Sequence, residues 1–301
     1  MALRWCVWSW SSRVWRWLRV AGAVNVAALV AYDGTRYHGF QRQSAQRGPT
    51  VQGELEAAIA RITGEEARLT GAGRTDSGVH ASGQVVNFTA ATRLDESAWL
   101  RALNAWLPED IAIRSARFVG ADFHARLSAL GRRYRYRVVC DPARSPLRER
   151  YAWRSPRRLD VAAMDSAARL LLGEHDFGAF GSSPWDQRGA AERRHTVRRM
   201  SQARCLWLPQ RLTADDDPLA GAAEDTGEPD EIAFDFAANG FLTGMARRLV
   251  GTLALVGAGR MSVAEFGQTL DSRDKTHAGP SAPPHGLCLT GVEYPAGMVH
   301  W

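Results

Sequence analysis

The chain has 301 residues, 45% hydrophobic and 23% charged, with a formal net charge of +6. That length allows one large or two ordinary domains with a packed core, and the composition excludes a disordered chain, a disulfide mini-protein and a coiled coil. No uninterrupted apolar run approaches the roughly 18 residues that a membrane helix needs.

Residues 1–23 hold Arg4, Arg13, Arg16 and Arg19, no acid, and five of the eleven tryptophans. The arginines interrupt what would be the apolar core of a secretory signal. The segment reads as an N-terminal extension outside the folded core: a disordered tail, a transit peptide of the mitochondrial type, or the product of a start codon placed too far upstream. The last is the preferred reading.

Residues 24–31 form an apolar run ending at Tyr32-Asp33-Gly34, a strand entering a turn. Residues 50–63 place Val51, Leu55, Ile59 and Ile62 on one stripe before Gly64, which predicts an amphipathic helix. Residues 68–70 and 84–89 read as strands around a glycine-rich loop, 95–106 as a helix capped by Asp95, and 111–118 as a strand. The order is β-α-β-β-α-β.

The second half repeats it. Residues 132–139 alternate Tyr134, Tyr136 and Val138 on one strand face, and 161–172 form a helix stopped at Gly173. Residues 196–208 and 232–236 are paired strands around an acidic insert, 212–231, which reads as a solvated loop. A helix over 239–256, a short helix over 262–271 and a strand over 287–294 complete the series. In the long helix Phe241, Met245, Leu249 and Leu253 make the core stripe. Gly240, Gly244 and Gly251 share another face with Arg247, which predicts close approach there by a backbone or a substrate.

The fold class is therefore α+β, built from two tandem ferredoxin-like/RRM-like (split β-α-β) halves, with helices packed on antiparallel sheets. The halves divide at 24–128 and 129–301. Without the first 23 residues and the acidic insert the remainder is strongly basic, which suits a polyanionic partner. All basic side chains but Lys275 are arginine, a bias that a GC-rich genome explains without any binding role. Cys6, Cys140, Cys205 and Cys288 are scattered and the histidines show no metal-ligand spacing, so reduced thiols in a cytoplasmic protein and no metal site are expected.

The most informative segment runs Gly71-Ala72-Gly73-Arg74-Thr75-Asp76-Ser77-Gly78-Val79-His80-Ala81. It lacks the Gly-Lys-Ser/Thr of a P-loop. Arg74 and Asp76, with small neighbours, set a carboxylate beside a guanidinium in a cramped site, an arrangement suited to a carboxylate nucleophile. A plain turn with a structural Asp–Arg pair is the competing reading.

GAGRTDSGVHASGQVVNF closely resembles the signature of the tRNA pseudouridine synthase A family, and the resemblance continues in order across most of residues 24–295. It includes AYDGTRYHGFQRQ, TVQGELEAAI, DFHARLSALGRRYRYRV, LLGEHDFGAF, ANGFLTGMARRLVGTLALVGAGRM and GLCLTGVEYP. The resemblance implies a pseudouridine synthase fold and isomerisation of uridine to pseudouridine at positions 38, 39 and 40 of the tRNA anticodon stem-loop. It implies a homodimer and neither cofactor nor metal. Asp76 matches the family's catalytic aspartate, Arg74 the arginine of its Arg-Thr-Asp, Tyr134 its base-stacking tyrosine and Arg247 the helix arginine that pairs with the aspartate. A bidentate Arg247–Asp76 pair would orient the carboxylate.

Thr243-Gly244, Arg248 and Asn87 depart from commoner family residues, which questions details of RNA contact rather than the reaction. The rival functions are a non-catalytic RNA-binding module of the same fold, and a nucleoside hydrolase or phosphorylase using Asp76.

Overall fold

The computed structural model describes residues 22–43, 48–182, 196–208 and 230–301. The N-terminal extension up to residue 21 and the bulk of the acidic insert lie outside the described residues. The first half runs β1 (Ala23–Tyr32), α1 (Val51–Thr63), β2 (Leu69–Gly71), β3 (His80–Ala91), α2 (Glu96–Trp106) and β4 (Ile111–Val119). The second runs β5 (Gly131–Cys140), β6 (Trp153–Ser155), α3 (Val161–Arg169), β7 (Gly173–Asp176), β8 (Val197–Trp207), β9 (Glu231–Ala238), α4 (Met245–Gly257), α5 (Val263–Ser272) and β10 (Leu287–Glu293).

Helix ends follow local chemistry. Thr50 accepts from the Gly53 amide at the start of α1, and Gly64 ends that helix in the left-handed region. Asp95 caps α2 through the Ala98 amide at 2.7 Å, and Ser262 with Glu265 forms a capping box on α5.

The ten strands among the described residues join one mixed sheet, ordered β4-β1-β3-β10-β5-β9-β8-β7, with β2 on β3 and β6 on β5. The first half thus pairs as β4-β1-β3-β2 and the second as β10-β5-β9-β8, the same split β-α-β order twice. The two antiparallel sheets read from the sequence join edge to edge, because β2 is only three residues long and pairs with the far part of β3. The free start of β3 takes β10 in parallel, Cys288 opposite His80 and Leu289 opposite Ala81. Short β6, also parallel, extends β5.

Helices from both halves share one core with one face of the sheet. Leu55, Trp99, Met164, Leu249 and Phe266 are at most 1% exposed and pack with Val26, Val30, Tyr136 and Val138. On the opposite face of β5, Arg133, Arg135 and Arg137 pair with Glu293, Asp235 and Glu231. Behind the first half a smaller cluster packs Ala27, Val85 and Phe123 against Tyr294 and Met298 of the C-terminal tail.

Several boundaries differ from the sequence reading; β3 starts at His80 rather than at residue 84, and three further differences bear on the site or the insert. The predicted helix over 161–172 ends at Arg169, and Gly173 (φ +98°) reverses the chain into β7. The predicted helix over 239–256 begins at Met245, because Gly244 is left-handed (φ +74°) and Thr243 pairs with Ser182. Gly240 and Gly244 therefore stand before the helix rather than on its Arg247 face. Finally, the last two acids of the insert are structural: Asp230 pairs with Arg148 at 2.6 Å, and Glu231 opens β9 and pairs with Arg137.

Candidate active site

The loop between β2 and β3 is fastened along its length. Gln84, fully buried on β3, donates to the Gly73 carbonyl at 2.8 Å and accepts from the Gly73 amide at 3.3 Å. Tyr32, at the end of β1, hydrogen-bonds Thr75 Oγ1 at 2.8 Å, and burial raises its hydroxyl above the usual phenol range. The Thr75 carbonyl accepts from the Phe40 amide at 3.1 Å.

At the far end, His80 Nδ1 accepts from the Gly34 amide at 3.0 Å and stands 3.2 Å from Asp33 Oδ1. The accepting role of Nδ1 assigns the ring proton to Nε2. Burial depresses the His80 pKa, against the opposing pull of Asp33, so the ring is neutral. Gly34 is required for this approach: a Cβ there would lie 2.0 Å from the Val79 carbonyl oxygen. Asp33 in turn accepts from Arg150 at 2.7 Å and Tyr151 at 3.0 Å, both from the second half.

So held, the loop presents Asp76 partly exposed, its side chain 35% accessible. Arg247, in the first turn of α4, reaches Asp76 Oδ2 with Nη1 at 3.5 Å. Its Nε donates to the Ala282 carbonyl at 2.8 Å, and the Ala282 amide donates back to the Arg247 carbonyl at 3.0 Å. The Asp76 contact is therefore single and long, not the bidentate pair anticipated, because Ala282 occupies Nε.

Tyr134 lies mid-sheet on β5, opposite Leu289 of β10 and Phe236 of β9. It is 8% exposed, packs edge-to-face on Phe241 at 4.8 Å, and its hydroxyl ends 3.8 Å from where a Cβ on Gly73 would stand. Burial, then the Asp76 charge, keeps that hydroxyl neutral. Arg74 is exposed and makes no ion pair with Asp76 or any other carboxylate among the described residues. The structure thus brings Asp76, Arg247 and Tyr134 together, with Arg74 at the rim.

The residues that hold this site escaped the sequence reading. Gln84 stood at the predicted start of a strand, and its only signal was a polar side chain entering an apolar run. Asp33 read as a turn residue and His80 as part of the loop. The Ala282 carbonyl has no side-chain signature at all. Asn87 faces the opposite side of the sheet, where it accepts from the Ala125 amide at 2.9 Å and donates to Asn25 at 3.0 Å. Among the described residues no cluster of three His, Cys, Asp or Glu could hold a metal ion, and no helix is long and apolar enough to cross a membrane. Cys140, Cys205 and Cys288 are free thiols.

A family model described as tRNA pseudouridine synthase matches residues 28–127 and 167–295. A tRNA pseudouridine synthase A of Chloroflexus aurantiacus is 44% identical over 280 residues, covering 92% of this chain and 91% of that protein. The protein of the same name from Neisseria meningitidis serogroup B is 39% identical over 269 residues, covering 89% and 91%. That of Roseiflexus is 43% identical over 271 residues, covering 90% and 91%.

The chain belongs to the tRNA pseudouridine synthase family.

Asp76 and Arg247 fall inside the matched stretches of this pseudouridine synthase. Tyr134 falls in the gap between them, within the roughly nine-tenths of the chain that the curated relatives align. In this synthase the match spans both halves of the sheet, and the Asp76 loop sits where they join.

Proposed function

We propose that this protein isomerises uridine to pseudouridine at positions 38, 39 and 40 of the tRNA anticodon stem-loop, with Asp76 as the essential carboxylate. The observation that carries this reading is the convergence of Asp76, Arg247 and Tyr134 where the two halves of the sheet meet. The names of the relatives support the substrate class.

The reaction breaks the N1–C1′ glycosidic bond and forms a C5–C1′ bond. N1 takes up a proton and the C5 hydrogen leaves as a proton, so nothing is oxidised and no cofactor enters the balance. Asp76 is the nucleophile at the reacting nucleoside. Arg247 orients it from α4, steadied by Ala282. The uridine must first leave its stack, at a cost of a few kcal/mol. Tyr134 receives the flipped base, where aromatic stacking contributes about 1–3 kcal/mol. Arg74, exposed at the rim, holds the vacated place or the displaced phosphate. The enzyme works as a cytoplasmic homodimer, in which a long RNA crosses two basic surfaces.

Mapping pseudouridine in tRNA transcripts after reaction tests the reading. Modification confined to positions 38–40, and lost one site at a time as each uridine is replaced by cytidine, supports it. Modification elsewhere, or turnover of free uridine, contradicts it.

A further inference from the structure

We infer that Arg132 is a positioning residue for this isomerisation, its half-buried guanidinium setting where the Asp76 loop lies against Tyr134. The inference rests on the function proposed above.

Arg132 sits two residues before Tyr134 on the same face of β5. Its Nε and Nη2 both donate to the Ala72 carbonyl, at 3.2 and 2.8 Å. Nη2 also reaches the Arg126 carbonyl at 2.9 Å, while Nη1 reaches those of Asn239 at 3.1 Å and Ala129 at 3.4 Å. These contacts engage all of the N–H donors of a guanidinium, five in number. The acceptors come from three segments: the root of the Asp76 loop (Ala72), the connection between the halves (Arg126 and Ala129), and the stretch leading into α4 (Asn239). One planar group therefore ties the segments that lead to Asp76 and Arg247 to the strand that carries Tyr134.

Its surroundings set it apart from its neighbours. Arg133, Arg135 and Arg137 all pair with carboxylates on the opposite face. Arg132 has no ion pair among the described residues and is partly desolvated, its pKa depressed by burial. A cation kept for charge alone would gain from a carboxylate partner, whereas a cation kept for shape needs the rigid fork that only arginine has. The sheet and helices hold their own hydrogen bonds without it. Loss of the fork therefore moves the loop before it threatens the fold, and sub-ångström displacement falls on the chemical step rather than on RNA binding.

The test compares wild type, Arg132→Lys and Arg133→Lys by single-turnover tritium release from tRNA labelled at uridine C5, with enzyme saturating. RNA dissociation constants and thermal midpoints are measured on the same samples. Arg132→Lys keeps the charge but not the fork, and is expected to slow the bound-state reaction at least about ten-fold. Binding should stay within about three-fold and the midpoint within a few degrees. Arg133→Lys, on the other face, should match wild type. In Arg132→Gly, added methylguanidinium should restore rate where methylammonium does not. Wild-type rate in Arg132→Lys overturns the inference alone, as does a rate loss that is matched by lost binding or a collapsed midpoint. Absence of release by wild type overturns the proposed function as well, so the two failures are distinct.

Discussion

Arg247 holds Asp76 Oδ2 at 3.5 Å with one arm of its guanidinium and the Ala282 carbonyl at 2.8 Å with Nε. The aim of the arginine therefore depends on a backbone segment, 280–282, that packs along α4. Gly251 makes that packing possible: a Cβ there would stand 1.8 Å from the Pro280 carbonyl oxygen. The close approach expected near the helical glycines is thus made by the protein's own backbone.

Arg247→Lys should lower kcat about 10- to 100-fold with little change in KM, since a hydrogen bond to a charged group contributes about 1.5–3 kcal/mol and an ammonium cannot span both partners. Steady-state kinetics on a tRNA transcript check this, and an unchanged kcat would remove Arg247 from the site.

Gly251→Ala should destabilise the fold by about 1–3 kcal/mol through overpacking against Pro280. Gly259→Ala meets nothing within 4 Å and is strained only by its left-handed φ of +67°, a cost of about 1 kcal/mol. Chemical denaturation should rank Gly251→Ala as the less stable. Equal stability would mean that the 280–282 segment moves freely.

Tyr134→Phe should keep most of the activity, whereas Tyr134→Ala should lose the stacking contribution, about 1–3 kcal/mol, in the single-turnover rate. Equal damage from both would assign the function to the hydroxyl rather than to the ring.

The pH dependence of stability should carry two marks. Burial alone would raise the Asp33 carboxyl, but Thr35, Arg150 and Tyr151 donate to it and hold it well below the carboxylate range. A depressed carboxyl stabilises the fold above the unfolded value, about 4, and that contribution is lost as pH falls below it. His80, depressed by burial, stays neutral in the fold while the unfolded chain binds a proton below about 6.5. Its contribution is therefore also lost on acidification, but nearer neutrality. Denaturation across pH should show His80→Asn flattening the profile between about pH 7 and 5 and Asp33→Asn flattening it below about 4. Parallel curves for wild type and both variants would contradict this.

The repeated β-α-β-β-α-β order and the Asp76 loop were legible because periodicity, caps and glycines are local signals. The start of α4 was not, since Phe241 continues the i+4 stripe of Met245, Leu249 and Leu253, and only the backbone at Gly244 reveals the break. The fusion of the two halves was hidden because β10 meets β3 through a pairing about two-thirds of the chain apart in sequence. Arg132 read as an ordinary strand residue because its partners are carbonyls, which any sequence supplies.

The most direct test of the account is tritium release from a transcribed tRNA labelled at uridine C5, comparing wild type with Asp76→Asn. Release by wild type and none by Asp76→Asn, with RNA binding retained because phosphate contacts dominate affinity, is the predicted result. Release by Asp76→Asn at the wild-type rate would contradict the assignment of Asp76, and binding without release by either protein would make this an RNA-binding module.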